Sequence, residues 1–154
     1  DVFAAAKGRG QIIDVVITRN RHIRVIDDSY NASLASTEAA IEMLADQQGR
    51  KIAALGDMLE LGEHAVAFHT QLADKLLSCN IDRLIAIGPD MLNCFNAVSQ
   101  SMRWLHADSA SQLGEDWVEQ LQDGDCVLIK GSRGMRMEQL IATVMKQETL
   151  TDVV

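Results

Sequence analysis

Apolar residues along this chain come in short β-branched runs, separated by stretches in which they recur at helical spacing. Residues 11–18 and 23–26 are both β-branched and apolar, with Arg19-Asn20-Arg21 between them, which predicts an antiparallel hairpin with an asparagine at its turn. From Ser36 onward Thr37, Ala40, Ile41, Leu44 and Ala45 fall on one helical face, and Gly49 stops the helix. Residues 51–55 form a short buried strand that ends at Gly56-Asp57. Residues 63–78 follow as a helix with Val66, Phe68, Leu72, Ala73, Leu76 and Leu77 on its apolar side. Residues 83–87 make a strand closed by Gly88-Pro89, residues 91–98 a short helix and residues 103–106 a weak strand. Ser109 or Ser111 can cap a helix running to Leu121. Asp123-Gly124-Asp125 then turns the chain into a strand at residues 126–129, and residues 137–146 close as a helix.

Strand and helix therefore alternate from Ile23 onward, and the strands are apolar enough to be covered on both faces. The expected class is α/β: a Rossmann-like, mostly parallel sheet flanked by helices, with an N-terminal antiparallel hairpin. Only the last few residues read as loose. In such sheets ligands collect at the C-terminal ends of the strands. Three of those ends are polar and distinctive: residues 27–31, Gly56-Asp57, and residues 130–133.

Composition narrows the chemistry. At 154 residues, 47% hydrophobic and 23% charged, the chain suits one domain with an ordinary core. A net charge of −8 argues against nucleic acid as the main partner, though two or three local cations still suffice for a small phosphate ligand. The odd, widely spaced Cys79, Cys94 and Cys126 fit buried thiols in a reducing compartment, and no membrane-length apolar run or signal peptide is present, so the expectation is cytoplasmic. The chain begins with Asp1, and residues 2–10 read as a connector continuing from something upstream, which predicts a piece of a larger protein.

Asp27 and Asp28 end an apolar run and can accept the two hydroxyls of a ribose; helix capping and loop hydrogen bonding are the structural alternative. Lys7-Gly8-Arg9-Gly10-Gln11 brings two cations between glycines, a pattern that ordinary linkers share. Lys130-Gly131-Ser132-Arg133-Gly134 is a stronger anion candidate, because it joins a strand end to a helix start. No Gly-x-x-x-x-Gly-Lys-Ser/Thr phosphate loop occurs in the chain. Asp57 and Glu60, in Gly56-Asp57-Met58-Leu59-Glu60-Leu61-Gly62, can take an amine or simply belong to a packed turn. His64 and His69 are five apart and do not share a helical face, so no metal pair is predicted, and no nucleophile, base and orienter can be assembled.

Taken in order, Lys7-Gly8-Arg9-Gly10-Gln11, Ile26-Asp27-Asp28-Ser29-Tyr30-Asn31-Ala32, Gly56-Asp57-Met58-Leu59-Glu60-Leu61-Gly62-Glu63 and Lys130-Gly131-Ser132-Arg133 resemble the C-terminal domain of the Mur ligases over nearly the whole chain. The second and third segments resemble the branch that adds D-alanyl-D-alanine. One departure stands out: where that family continues Asn-Ala-Asn-Pro, this chain has Ser33 and Leu34, and loss of the proline predicts a looser turn before the helix. The resemblance implies residues 1–10 as a connector from a central ATPase domain and residues 11–154 as the C-terminal domain of a three-domain enzyme. It implies ATP and Mg2+ as cofactors, the Mg2+ held mainly by the central domain. The substrates implied are a UDP-N-acetylmuramoyl tripeptide, activated as an acyl phosphate, and D-alanyl-D-alanine, whose amine attacks it. Arg9 and Asp28 match positions on the ATP ribose and adenine side. Tyr30, Asn31, Asp57, Lys130, Ser132 and Arg133 match the acceptor side. No catalytic residue and no metal ligand is expected in this piece alone. The competing expectation is a free-standing Rossmann-like nucleotide-binding or regulatory module. A purely structural or interaction domain is a third, disfavoured by polar residues clustering at strand ends.

Overall fold

The computed structural model describes residues 6–149. The first five residues of the expected connector and the last five of the chain, where a loose end is expected, lie outside them. One six-stranded sheet runs through the domain in the order β1-β2-β6-β3-β4-β5. Its strands are β1 (Gln11–Ile17), β2 (Arg21–Asp28), β3 (Lys51–Gly56), β4 (Arg83–Ile87), β5 (Arg103–Ala107) and β6 (Cys126–Lys130). β1 pairs antiparallel with β2, and every other pairing is parallel. The helices are α1 (Leu34–Ala45), α2 (Ala65–Ser78), α3 (Met91–Ala97), α4 (Asp116–Glu119) and α5 (Glu138–Met145). This is the expected α/β class, with the hairpin in place.

Side chains alternate across the strands and feed two cores. Ile26, Ala53, Leu55, Leu84, Ala86 and Leu128 face α1, α2 and α3, whereas Val25, Ile52, Ala54, Ile85, Val127 and Ile129 face α4 and α5. β6 is buried along its whole length because it lies mid-sheet with helices on both sides. Cys94 and Cys126 are free and buried, and burial pushes their thiols up to about 12 and about 11.

Several elements differ from expectation for local reasons. The hairpin turn is a 3-10 segment, Thr18–Asn20, with Arg19 and Asn20 left-handed at φ 63° and 56°. Arg21 then opens β2, and its guanidinium turns to the carbonyls of Val118, Glu119 and Leu121 at the end of α4. β2 runs on to Asp28, so both aspartates are strand residues rather than the loop after it. α1 starts at Leu34 because Ser33 accepts from the Ser36 amide while the Ser36 hydroxyl accepts from the Ser33 amide, a reciprocal cap that fixes the turn without the proline. The helix expected to run to Leu121 is broken into a 3-10 turn, Ala110–Gln112, and the short α4, with Gly114 at φ 76° between them; neither Ser109 nor Ser111 caps it. The buried side of α2 is His69, Leu72, Ala73 and Leu76, while Val66 is 59% exposed.

Candidate functional site

The polar strand ends meet at one edge of the sheet because β6 inserts between β2 and β3. Asp28 and Lys130 are register partners there, although 102 residues separate them in sequence. The Lys130 ammonium donates to Asp28 Oδ2 at 2.8 Å and to the Asn31 carbonyl at 2.9 Å. Its side chain is 4% exposed, so the pair is held in a low-dielectric setting and ties the loop after β2 to the end of β6. On the other face of β2, Asp27 is buried and accepts from the Ser29 hydroxyl at 2.6 Å.

Residues 8–10 fold back on this edge. The Gly10 amide donates to the Asp27 carbonyl and the Tyr30 amide to the Gly8 carbonyl, at 2.9 and 2.8 Å. Gly8 has φ 79°, which favours glycine there. This closure brings the Arg9 guanidinium to 4.0 Å from the centre of the Tyr30 ring, and Arg133 arrives over the same ring at 4.7 Å. Hydrogen bonding to Arg9 and the charge of Arg133 hold the Tyr30 phenol below its usual range.

Tyr30 separates two recesses. One, of about 340 Å³, is lined by Arg9, Asp28, Asn31, Ser33, Ser36 and Lys130. The other, of about 190 Å³, is lined by Lys7, Gly8, Asp27, Ser29, Arg133 and Glu138. The first combines a partly exposed carboxylate and an arginine with the capping hydroxyls of Ser33 and Ser36, and the carboxylate and guanidinium suit a sugar diol with an anionic neighbour. The second mixes two cations with two acids. A larger recess of about 490 Å³ lies at the opposite end of β2, around Asp14, Arg24 and Asp125, away from all of these residues.

The loop after β3 lies against the segment that follows β6. Its Asp57 is buried, and the carboxylate faces inward, accepting from the Met91 and Asp90 amides at the start of α3. Burial raises its carboxyl above the ordinary aspartate range despite those two amide donors. A Cβ on Gly88 would fall 2.3 Å from that carboxylate, so the arrangement requires glycine at this position. The Ser132 amide donates to the Asp57 carbonyl, and the Ser132 hydroxyl accepts from the Leu59 amide. Gly131 allows the two segments to meet, since a Cβ there would lie 3.0 Å from the Gly56 Cα.

Of the residues expected from sequence, Arg9, Asp28, Tyr30, Asn31, Lys130 and Arg133 come together around Tyr30. Asp57 and Ser132 lie in the adjoining loop, with their polar atoms bonded to protein groups. The sequence pattern passes over His69, which is fully buried beneath that loop; its only signal is its place three and seven residues before Leu72 and Leu76 on the buried stripe of α2. It passes over Glu138 as well, which joins Lys7 and Ser29 in one recess only after folding.

Comparison with known proteins converges on one family. Residues 8–133 match the family described as Mur ligase, glutamate ligase domain. A UDP-N-acetylmuramoyl-tripeptide–D-alanyl-D-alanine ligase from Bacillus subtilis (strain 168) is 31% identical over 151 residues, 94% of this chain and 32% of the relative. The corresponding ligase from Escherichia coli (strain K12) is 28% identical over 152 residues, 91% of this chain and 30% of the relative. The crystal structure of MurF ligase from Thermotoga maritima in complex with ADP superposes with a TM-score of 0.78 at 27% identity, covering 94% of this chain and 32% of that one. The chain thus spans about a third of the length of the curated relatives it matches. With the family match covering well over half of the sequence and the fold shared with a solved member, the chain belongs to the Mur ligase family, as its C-terminal, glutamate-ligase-type domain.

Proposed function

We propose that this chain is one domain of a cytoplasmic, ATP-dependent ligase that joins D-alanyl-D-alanine to a UDP-N-acetylmuramoyl tripeptide in the synthesis of cell-wall precursors. The observation that carries this reading is the pair of recesses divided by Tyr30 at the strand ends, one fitted to a ribose and the other rich in charge. It is supported by the names of the relatives and by the ADP complex of the Thermotoga maritima enzyme. No helix among the described residues is long and apolar enough to cross a membrane.

In this reading Arg9 and Asp28 hold the ribose and adenine side of ATP, with Asp28 oriented by Lys130. Tyr30, Asn31 and Arg133 face the acceptor dipeptide. Asp57, Lys130 and Ser132 support that side through the bonds they already make. The residues present suit the nucleoside better than the phosphates. Among the described residues no group of three His, Cys, Asp or Glu side chains gathers as a cation site. In keeping with the family resemblance, we assign the phosphates and Mg2+ to a central domain joined to this one through residues 1–10. The tripeptide carboxylate takes the γ-phosphoryl group of ATP, giving an acyl phosphate and ADP; the dipeptide amine then attacks the acyl carbon, loses a proton and forms the peptide bond as inorganic phosphate leaves. This domain contributes by holding two reactants in register, which is an entropic and electrostatic service.

Isothermal calorimetry tests the division of labour. The chain by itself should bind ATP very weakly, whereas the complete protein should bind it well. Tight, magnesium-dependent binding by the chain alone would favour a free-standing nucleotide-binding module instead.

A further inference from the structure

We propose that His69 is a positioning residue for the acceptor side of the site, acting through the backbone of the loop after β3. This rests on the reading above that the loop borders the acceptor dipeptide.

The partners of His69 dictate its chemical form. Nδ1 lies 2.6 Å from the Ala65 carbonyl oxygen, which can only accept, so Nδ1 carries the proton. Nε2 lies 2.9 Å from the Met58 amide nitrogen, which can only donate, so Nε2 presents a lone pair. The ring is therefore the neutral Nδ1–H tautomer, fixed from both ends and fully buried. A residue needed only to fill space on the buried face of α2 would be apolar, like its neighbours Leu72 and Leu76. His69 does something an apolar side chain cannot: it accepts from a buried amide that has no backbone partner.

The next amide is treated in the same way from the opposite side. The Leu59 amide donates to the Ser132 hydroxyl at 2.8 Å, and Ser132 immediately precedes the arginine stacked on Tyr30. Two consecutive amides are thus gripped by side chains of two different elements, α2 and the segment after β6. Beyond that grip the chain turns through Glu60 at φ 64° and leaves Leu59 41% exposed. Freeing Met58 would let the loop shift against Ser132 and carry Arg133 with it. The nucleotide side, built on Arg9 and Asp28, would be untouched.

Two variants of the complete ligase, His69→Leu and His69→Gln, test this. His69→Leu should raise KM for D-alanyl-D-alanine about tenfold, the size of one lost hydrogen bond, with KM for ATP unchanged. His69→Gln supplies an acceptor for the Met58 amide and should recover most of that loss. Equal rises in both KM values, or a Gln variant no better than the Leu variant, would overturn the proposal. Nitrogen-15 NMR of the unaltered protein needs no variant: Nε2 should resonate as an unprotonated nitrogen, and a protonated Nε2 would also overturn it. If the complete protein never releases ADP in a dipeptide-dependent way, the ligase reading fails, while the tautomer result still decides whether His69 holds the loop.

Discussion

Tyr30 is held between two guanidinium groups because the chain returns to it twice, once from Gly8 to Gly10 and once from the end of β6. In an acidic protein this leaves two cations stacked on an aromatic ring with no carboxylate bonded to them among the described residues, so both remain available to an anionic ligand. Replacing Arg9 by alanine in the complete enzyme should raise KM for ATP roughly tenfold and leave KM for the dipeptide alone. Unchanged ATP kinetics would remove Arg9 from the ribose side. Lys130 differs, because its charge is already committed. Lys130→Met leaves the partly exposed Asp28 carboxylate without its buried partner and should lower stability by about 2 kcal/mol, less than for a fully buried pair, read by urea unfolding. A loss below about 0.5 kcal/mol would mean that the pair behaves as a surface salt bridge.

At the scale of elements, the starts of α1 and α3 and the loop after β3 are held by side chains rather than by repeated backbone pairing. The reciprocal Ser33–Ser36 cap fixes the start of α1 without a proline. Ser33→Ala should cost about 1 kcal/mol, and a thermal melt should fall by about 2–4 °C. Asp57 gives the loop a pH signature. Its folded-state value lies above the ordinary 3.8, so as pH falls the folded protein takes up this proton before the unfolded chain does. The contribution of Asp57 to stability therefore rises as pH drops from the folded value toward 3.8 and is flat outside that window. Urea unfolding of Asp57→Asn alongside the parent should show the parent gaining ground as pH falls through that interval. A constant gap between the two would contradict the assignment.

These elements also mark how far the sequence could be read. Strands β3, β4 and β6 were legible to within a residue, because buried parallel strands are continuous apolar runs bounded by Gly or Asp. α4 was not legible: one residue at positive φ, Gly114, outweighs the apolar spacing on either side of it. The buried face of α2 was legible at Leu72, Ala73 and Leu76, but Val66 and Leu77 are exposed, and the buried His69 was missed because a histidine does not register as apolar.

For the whole molecule, the decisive fact is strand order. Nothing local in the chain states that β6 lies between β2 and β3, yet that insertion places Lys130 beside Asp28 and Ser132 beside Leu59. The motifs were therefore legible as a set, through their resemblance to a family, while their geometry was not. Asp57 reads in sequence as a ligand group and in the fold as the anchor of α3. The recess beside Lys7 and Glu138 draws on three of those motifs, but that they enclose it together with Glu138 is visible only in the fold. The result is a domain with a six-stranded sheet and a polar cluster at its strand ends, spanning about a third of the length of its relatives.

The central claim is that this half-site serves transfer of a tripeptide carboxyl to D-alanyl-D-alanine. ADP release by the complete protein, followed with ATP, Mg2+ and the UDP-N-acetylmuramoyl tripeptide present, tests it most directly when the dipeptide is added last. Sustained release should begin only on that addition and should yield the dipeptide adduct. Release that is indifferent to the dipeptide, or that stops without it being consumed, would contradict the account.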